Sequence, residues 1–238
     1  MIDVEAVERA TVAAVAPPEV LEIGGWLIPL DAGTVSRAKS AVPLSAEPDD
    51  AALDAIETAY RSRGLPPAFR IVDSVGTEAV RAALDRRGYA PERPTLFKVA
   101  DAGALAGFST APVILEAWPD ADWAEAFAAA GVEPADAAHR LRLLASPGVV
   151  YGRVLEEGRT VAVGALSFSH GWAGAHGMRT RPEARGRGHA AAILAAFGRS
   201  ALAAGVGWVM LNVEEANPAR SLYRKAGFRR VWAYRYWV

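Results

Sequence analysis

Cysteine is absent from the 238 residues, which excludes disulfides, thiolate catalysis and cysteine-ligated zinc. Lysine is nearly absent: Lys39, Lys98 and Lys225 are the only three, and every other fixed cation is an arginine. That bias, with the abundance of alanine, reflects genome base composition rather than function. Neither sign of charge is in excess, the net being −1, so nothing points to nucleic acid or an anionic membrane as a partner. Long uninterrupted apolar runs are missing as well. The most hydrophobic stretch, 190–213, is broken by Arg199, Ser200 and glycines and does not suit a membrane span. The first residues carry Asp3, Glu5 and Glu8 where a secretory signal would be basic, so a cytoplasmic protein is expected. No metal is expected.

What is present suits a globular α/β chain of one or two domains, with 52% hydrophobic residues to build a core. Apolar periodicity and turn residues predict helices over 4–15, 49–63, 77–87, 120–130, 134–145, 189–204 and 218–226. Strands are predicted over 20–23, 26–30, 39–44, 69–72, 95–99, 113–116, 149–156, 160–169, 172–180, 208–213 and 231–238. Residues 102–112 are small and polar and read as a boundary, giving domains of 1–105 and 112–238.

The two halves share an order of elements. Helix, Gly205, strand, helix, Gly227-Phe228, strand in the second half answers helix, Gly64, strand, helix, Gly88-Tyr89, strand in the first. The paired glycines stand 22 and 24 residues apart, which predicts two copies of one α/β unit.

The stretch 172–213 carries the chemistry. A strand leads through Pro182 to Arg185-Gly186-Arg187-Gly188-His189-Ala190, then a small-residue helix and a second strand. Glycines at a helix mouth let the backbone approach a ligand, and the first helical N–H groups lack internal partners. With the positive end of the helix dipole these make a phosphate site. The matching place in the first half is Ser45-Ala46-Glu47-Pro48-Asp49-Asp50, where acids would repel a phosphate.

This loop resembles the acetyl-CoA pyrophosphate loop of the GNAT superfamily of N-acetyltransferases, whose Arg/Gln-x-x-Gly-x-Gly/Ala pattern is matched by Arg185, Gly188 and Ala190. Asn217, Tyr223 and Gly227-Phe228 follow in the family's order. The resemblance covers 113–238 and extends to the first half as a degenerate copy. It implies two GNAT-like units, each a mixed, mostly antiparallel sheet flanked by helices. It also implies transfer of an acetyl group from acetyl-CoA to a primary amine of a small molecule or peptide. Backbone N–H groups of Arg185, Gly186, Arg187, Gly188, His189 and Ala190 would hold the pyrophosphate, and those of Met178, Arg179 and Thr180 the thioester carbonyl. Asn217 would bond the pantetheine arm, and Tyr223 would protonate the departing thiolate.

Several points stay open. The base that takes the amine's proton is Glu214, His176 or a water chain; alternation puts His176, Met178 and Thr180 on one side of their strand. Asn217 also suits a helix cap, and Tyr223 a core aromatic. Trp232, Tyr234, Tyr236 and Trp237 form either a substrate wall or a strand covering the other half. Gly186-x-Gly188-x-x-Ala191 with Glu214 fits the dinucleotide fingerprint of an NAD-linked oxidoreductase too, although the fingerprint normally follows its strand directly. A non-catalytic acyl-CoA sensor is the third reading, and a homodimer is compatible with all three.

Overall fold

Proline and glycine punctuate the chain so regularly that most element ends follow from them. The computed structural model describes residues 2–129, 131 and 133–238. In order these form α1 (Val4–Ala13), β1 (Glu19–Ile23), β2 (Trp26–Leu30), β3 (Val42–Pro43), α2 (Leu53–Arg61), β4 (Phe69–Val72), α3 (Glu78–Arg86) and β5 (Pro91–Asp101). There follow α4 (Ala102–Ala106), β6 (Ile114–Glu116), α5 (Ala121–Ala128), α6 (Pro134–Leu144), β7 (Val150–Glu156), β8 (Arg159–Ser169) and β9 (Trp172–Thr180). Last come α7 (His189–Ala203), β10 (Trp208–Glu214), α8 (Arg220–Lys225) and β11 (Arg229–Trp237). The fold is mixed α/β with a large, mostly antiparallel sheet, and no helix among the described residues is long and apolar enough to cross a membrane.

Contacts divide the chain into two compact units, neither of them contiguous. The first is Met1–Phe97 with Val213–Asn217 and Arg230–Val238; the second is Lys98–Asn212 with Pro218–Arg229. The expected halves, 1–105 and 112–238, differ from this at 98–105, at 213–217 and at the C-terminus, where β11 pairs antiparallel with β4, from Tyr234↔Val72 to Trp237↔Phe69. Trp237 joins that unit's core beside Trp26, Phe69 and Tyr60, so the aromatic strand covers the first unit. In the same unit β1 and β2 form a hairpin about Gly24-Gly25, both at positive φ, and β3 adds to β2. Buried Arg70 is neutralised by Glu8 and lies 5.2 Å from the Tyr234 ring.

The shared order of elements is present in both halves, down to the helix ends. Gly64, Gly88, Gly205 and Gly227 are all left-handed. After each, the next N–H reaches back five residues: Leu65 to Tyr60 (3.1 Å), Tyr89 to Leu84 (3.1 Å), Val206 to Ala201 (2.8 Å) and Phe228 to Tyr223 (2.9 Å). This is the six-to-one bond of a Schellman end, which needs a residue without a Cβ penalty at the glycine.

Within the second unit β9 lies between β10 and β8, and the order continues through β7 to β6. Val163 and Ala165 of β8 point to a face covered by α5 and α6, where Trp123, Phe127, Leu144 and Tyr151 pack. The opposite face is covered by α7. There a side chain on Gly152 or Gly164 would run into Ile193 and Phe197, so the glycines let the helix settle onto the sheet.

Three expectations are corrected. Residues 102–112 are not simply a boundary: they open with α4, capped by Asp101, whose backbone crosses α7 at Gly198, where a Cβ would stand 2.5 Å from Ala106 N. The strand expected over 39–44 is reduced to Val42–Pro43, following a 3-10 turn at Ser36–Ala38. Helix 120–130 ends at Ala128, and Ala130 lies outside the described residues.

Candidate functional site

Two strands part here. β9 and β10 run parallel but are registered only at Val209↔Ala173 and Met210↔Gly174. Beyond those pairs β9 continues to Thr180 on its other partner, β8. The edge of β9 that faces β10 is thereby released over its second half, a place where an extended ligand can add as a strand would.

A bulge lies in that released half. Val163 pairs with Arg179 and Ala165 with His176, so Gly177 and Met178 together stand opposite Gly164. Gly177 has φ +62°, and a side chain there would meet Leu144 and Phe127. An inserted residue reverses the alternation. The expectation that His176, Met178 and Thr180 share one side is therefore overturned. His176 and Arg179 share the face of Val163 and Ala165, towards α5 and α6, whereas Met178 turns to the α7 face against Gly164. His176 is buried there.

After Thr180 the chain is anchored before it turns. Arg181 is buried; its N–H donates to Val161 O (2.9 Å), its Nε to Thr160 O (2.8 Å), and its Nη2 pairs with Glu125 (2.8 Å). A 3-10 turn, Pro182–Ala184, then carries the chain to Arg185, whose Nε donates to Thr180 O (3.3 Å). Gly186 and Gly188 have φ +79° and +87°, which a side chain rarely adopts, and a Cβ on either would meet nothing within 4 Å. The glycines serve the path of the backbone.

Gly188 is the N-cap of α7 and offers no side-chain acceptor. The amides of His189, Ala190 and Ala191 consequently open the helix without a capping side chain. The corresponding helix in the first unit is entered through a 3-10 turn, Asp50–Ala52, whose mouth is closed by Asp49 Oδ1 accepting from Ala51 N (2.9 Å). Of the two helix mouths, the second is the one built for an anion. Arg187 and His189 stand beside it: Arg187 Nη1 and His189 Nε2 both reach Glu156, at 2.9 and 2.8 Å, and Arg187 Nη2 donates to Glu183 O (3.0 Å).

Tyr223 is set by α8 and the turn after it. Its carbonyl accepts from Phe228 N, and its ring meets the Phe228 ring edge-on at 5.9 Å. Gly227-Phe228 thus ends the helix and seats the phenol. Burial raises the Tyr223 pKa above that of an ordinary tyrosine, and the Arg179 cation works against that rise.

The structure brings Met178, Arg179, Thr180, Arg185, Gly186, Arg187, Gly188, His189, Ala190 and Tyr223 into the second unit. Glu214 and Asn217 fall in the first. The N-cap position of α8 is Ala219, and Asn217 N donates to Glu214 O (3.0 Å) within the turn that precedes it. Three features escaped the sequence: the anchor Arg181, the acid Glu156 beside the loop cations, and the bulge that re-aims Arg179. Only the last had a local signal, an isolated glycine inside a strand. Among the described residues no cluster of histidine, aspartate and glutamate could hold a metal ion. The dinucleotide reading loses its premise, because the glycines open α7 only after the 3-10 turn and not directly from β9.

The family described as "Probable histone acetyltransferase Rv0428c C-terminal" matches residues 2–237. No curated protein matches the chain in sequence. Among solved structures, a GCN5-related N-acetyltransferase from Kribbella flavida shares the fold with a TM-score of 0.72 at 18% identity, over 98% of this chain and 94% of that one. A tandem GNAT protein from the clavulanic acid biosynthesis pathway aligns with a TM-score of 0.65 at 14% identity, over 97% and 86%. A GCN5-related N-acetyltransferase from Sphaerobacter thermophilus gives 0.58 at 18%, over 100% and 93%.

Proposed function

The chain belongs to that acetyltransferase family, within the GNAT superfamily, and on this premise we propose that it transfers the acetyl group of acetyl-CoA directly to a primary amine. The observation that carries the reading is the uncapped mouth of α7 behind Gly188, next to an edge of β9 left open by the parting of β10. A pyrophosphate fits the first and an extended pantetheine arm the second.

Each residue has a task in this reading. The amides from Arg187 to Ala190 hold the pyrophosphate, with Arg185 and Arg187 adding charge. Acetyl-CoA supplies the activated thioester and, on attack, a thiolate to be discharged. Amides at Met178–Thr180 face the carbonyl oxygen as it gains charge. Tyr223 Oη gives its proton to the leaving sulfur; a phenol is a weaker acid than a thiol, and burial keeps it protonated. No cysteine exists to carry the acetyl group, so the amine attacks without a thioester enzyme intermediate.

Titration calorimetry with acetyl-CoA and with NAD, followed by detection of free thiol over a panel of amines, tests this. Binding of acetyl-CoA alone and amine-dependent thiol release are expected. Binding of NAD, or acetyl-CoA bound with no release for any amine, would oppose it.

A further inference from the structure

Among the described residues the two buried arginines and the half-buried Arg153 come with carboxylates. Arg70 has Glu8, Arg181 has Glu125, and Arg153 has Glu116 and Asp120. Arg179 departs from the pattern. It is half-buried on the α5–α6 face, its guanidinium carbon 5.3 Å from the centre of the Phe127 ring. Its hydrogen bond runs from Nη1 to Met178 O at 3.2 Å, and among the described residues no carboxylate forms an ion pair with it. The other cation acting on it, Arg140 on α6, is paired with Asp136 at 2.8 Å.

An uncompensated cation withdrawn from water is costly unless something neutralises it in the working state. Burial and Arg140 depress the Arg179 pKa, and Tyr223 and Asp136 offset this only in part. Its position is determined by the bulge: with regular alternation this side chain would point at α7, and Gly177 turns it to the other face. Arg179 also stands in the released half of β9, between Met178 and Thr180, beside the amides assigned to the thioester carbonyl. A group bound to Arg179 is therefore held near the proposed reacting centre.

We propose that the Arg179 guanidinium seats a carboxylate of the acceptor, so that the substrate is an amine carrying its own acid, with Phe127 and Leu144 as the apolar wall beside it. A planar guanidinium fork matches a carboxylate, and pairing would complete the charge balance that Arg179 lacks in the free protein. A lysine-rich tail brings a second cation to this place and is disfavoured. The proposal rests on the acetyl-transfer reading above and goes beyond it in naming the acceptor class.

The test compares matched acceptors by thiol release: amino acids and short peptides ending in a free carboxylate, the same compounds as carboxamides, and an amidated lysine-rich peptide. For the intact protein, kcat/KM is expected to favour the carboxylate set by about 30-fold or more, the size expected for a desolvated charge pair. In R179M this ratio collapses towards one, chiefly through KM. In R179K, which keeps the charge, part of it survives. Because each ratio is taken within one protein, a general loss of stability does not imitate it. An equal or inverted preference in the intact protein overturns the proposal. So does an unchanged ratio in R179M, or acetyl-CoA bound with no carboxylate acceptor used. Failure of the intact protein to bind acetyl-CoA is a different outcome, and it removes the acetyl-transfer reading together with the inference.

Discussion

Met178 of β9 occupies the space that a side chain on Gly164 of β8 would need: a Cβ built on Gly164 collides with Met178 Sδ and also crowds Ile193 and Phe197 of α7. The contact exists because the bulge turns Met178 towards the helix. Gly164→Ala should destabilise the protein by about 1–3 kcal/mol, the usual cost of overpacking. Thermal denaturation should show a drop in Tm on the order of several degrees. Met178→Ala in the same chain should recover part of the loss. Strictly additive effects would place Met178 elsewhere.

Tyr223→Phe should lower turnover by roughly 10²–10⁴-fold, the range for loss of a positioned acid, while acetyl-CoA affinity holds. Steady-state thiol release and calorimetry measure the two. Unchanged turnover would make Tyr223 a core aromatic, and the site a binding module without this acid.

The pH dependence follows in sign from the same group. Burial raises the Tyr223 pKa, so the phenol keeps its proton through the neutral and mildly alkaline range. Turnover should therefore not decline through loss of this proton until the pH exceeds the ordinary tyrosine value. Arg179 pulls the pKa down, so removing its charge should move that alkaline limb still higher. A pH–rate profile of the intact protein against R179M checks the direction; a limb moving to lower pH would contradict it.

Glu156 holds Arg187 and His189 at the mouth of α7 and competes with any phosphate for them. Glu156→Gln should tighten acetyl-CoA binding about two- to fivefold at low ionic strength, the scale of an exposed ion pair, and the gain should fade in high salt. Weaker binding would mean that Glu156 positions the loop cations for the ligand.

Much of this was readable before the fold was known, for definite reasons. β9 was bounded correctly from Trp172 to Thr180 because Gly171 and Pro182 punctuate it. The helix ends at Gly64, Gly88, Gly205 and Gly227 were legible because a Schellman end selects glycine. α4 was not legible: five residues are too few to show a period, and the helix is supported by its crossing with Gly198 far along the chain. Asn217 and Pro218 suggest a helix from Pro218, but α8 starts only at Arg220. Past Gly177 simple alternation assigns the faces of β9 wrongly, because alternation holds only while the register does.

The central claim is that backbone amides behind Gly188 grip the pyrophosphate while the released half of β9 receives the pantetheine arm. Amide ¹H–¹⁵N spectra of the labelled protein titrated with coenzyme A test it most directly. The account predicts that the largest shifts fall on Arg187, Gly188, His189 and Ala190, with a second group on Met178, Arg179 and Thr180. Shifts centred instead on the Asp49-capped turn that leads into α2, or scattered with these residues unmoved, would contradict it.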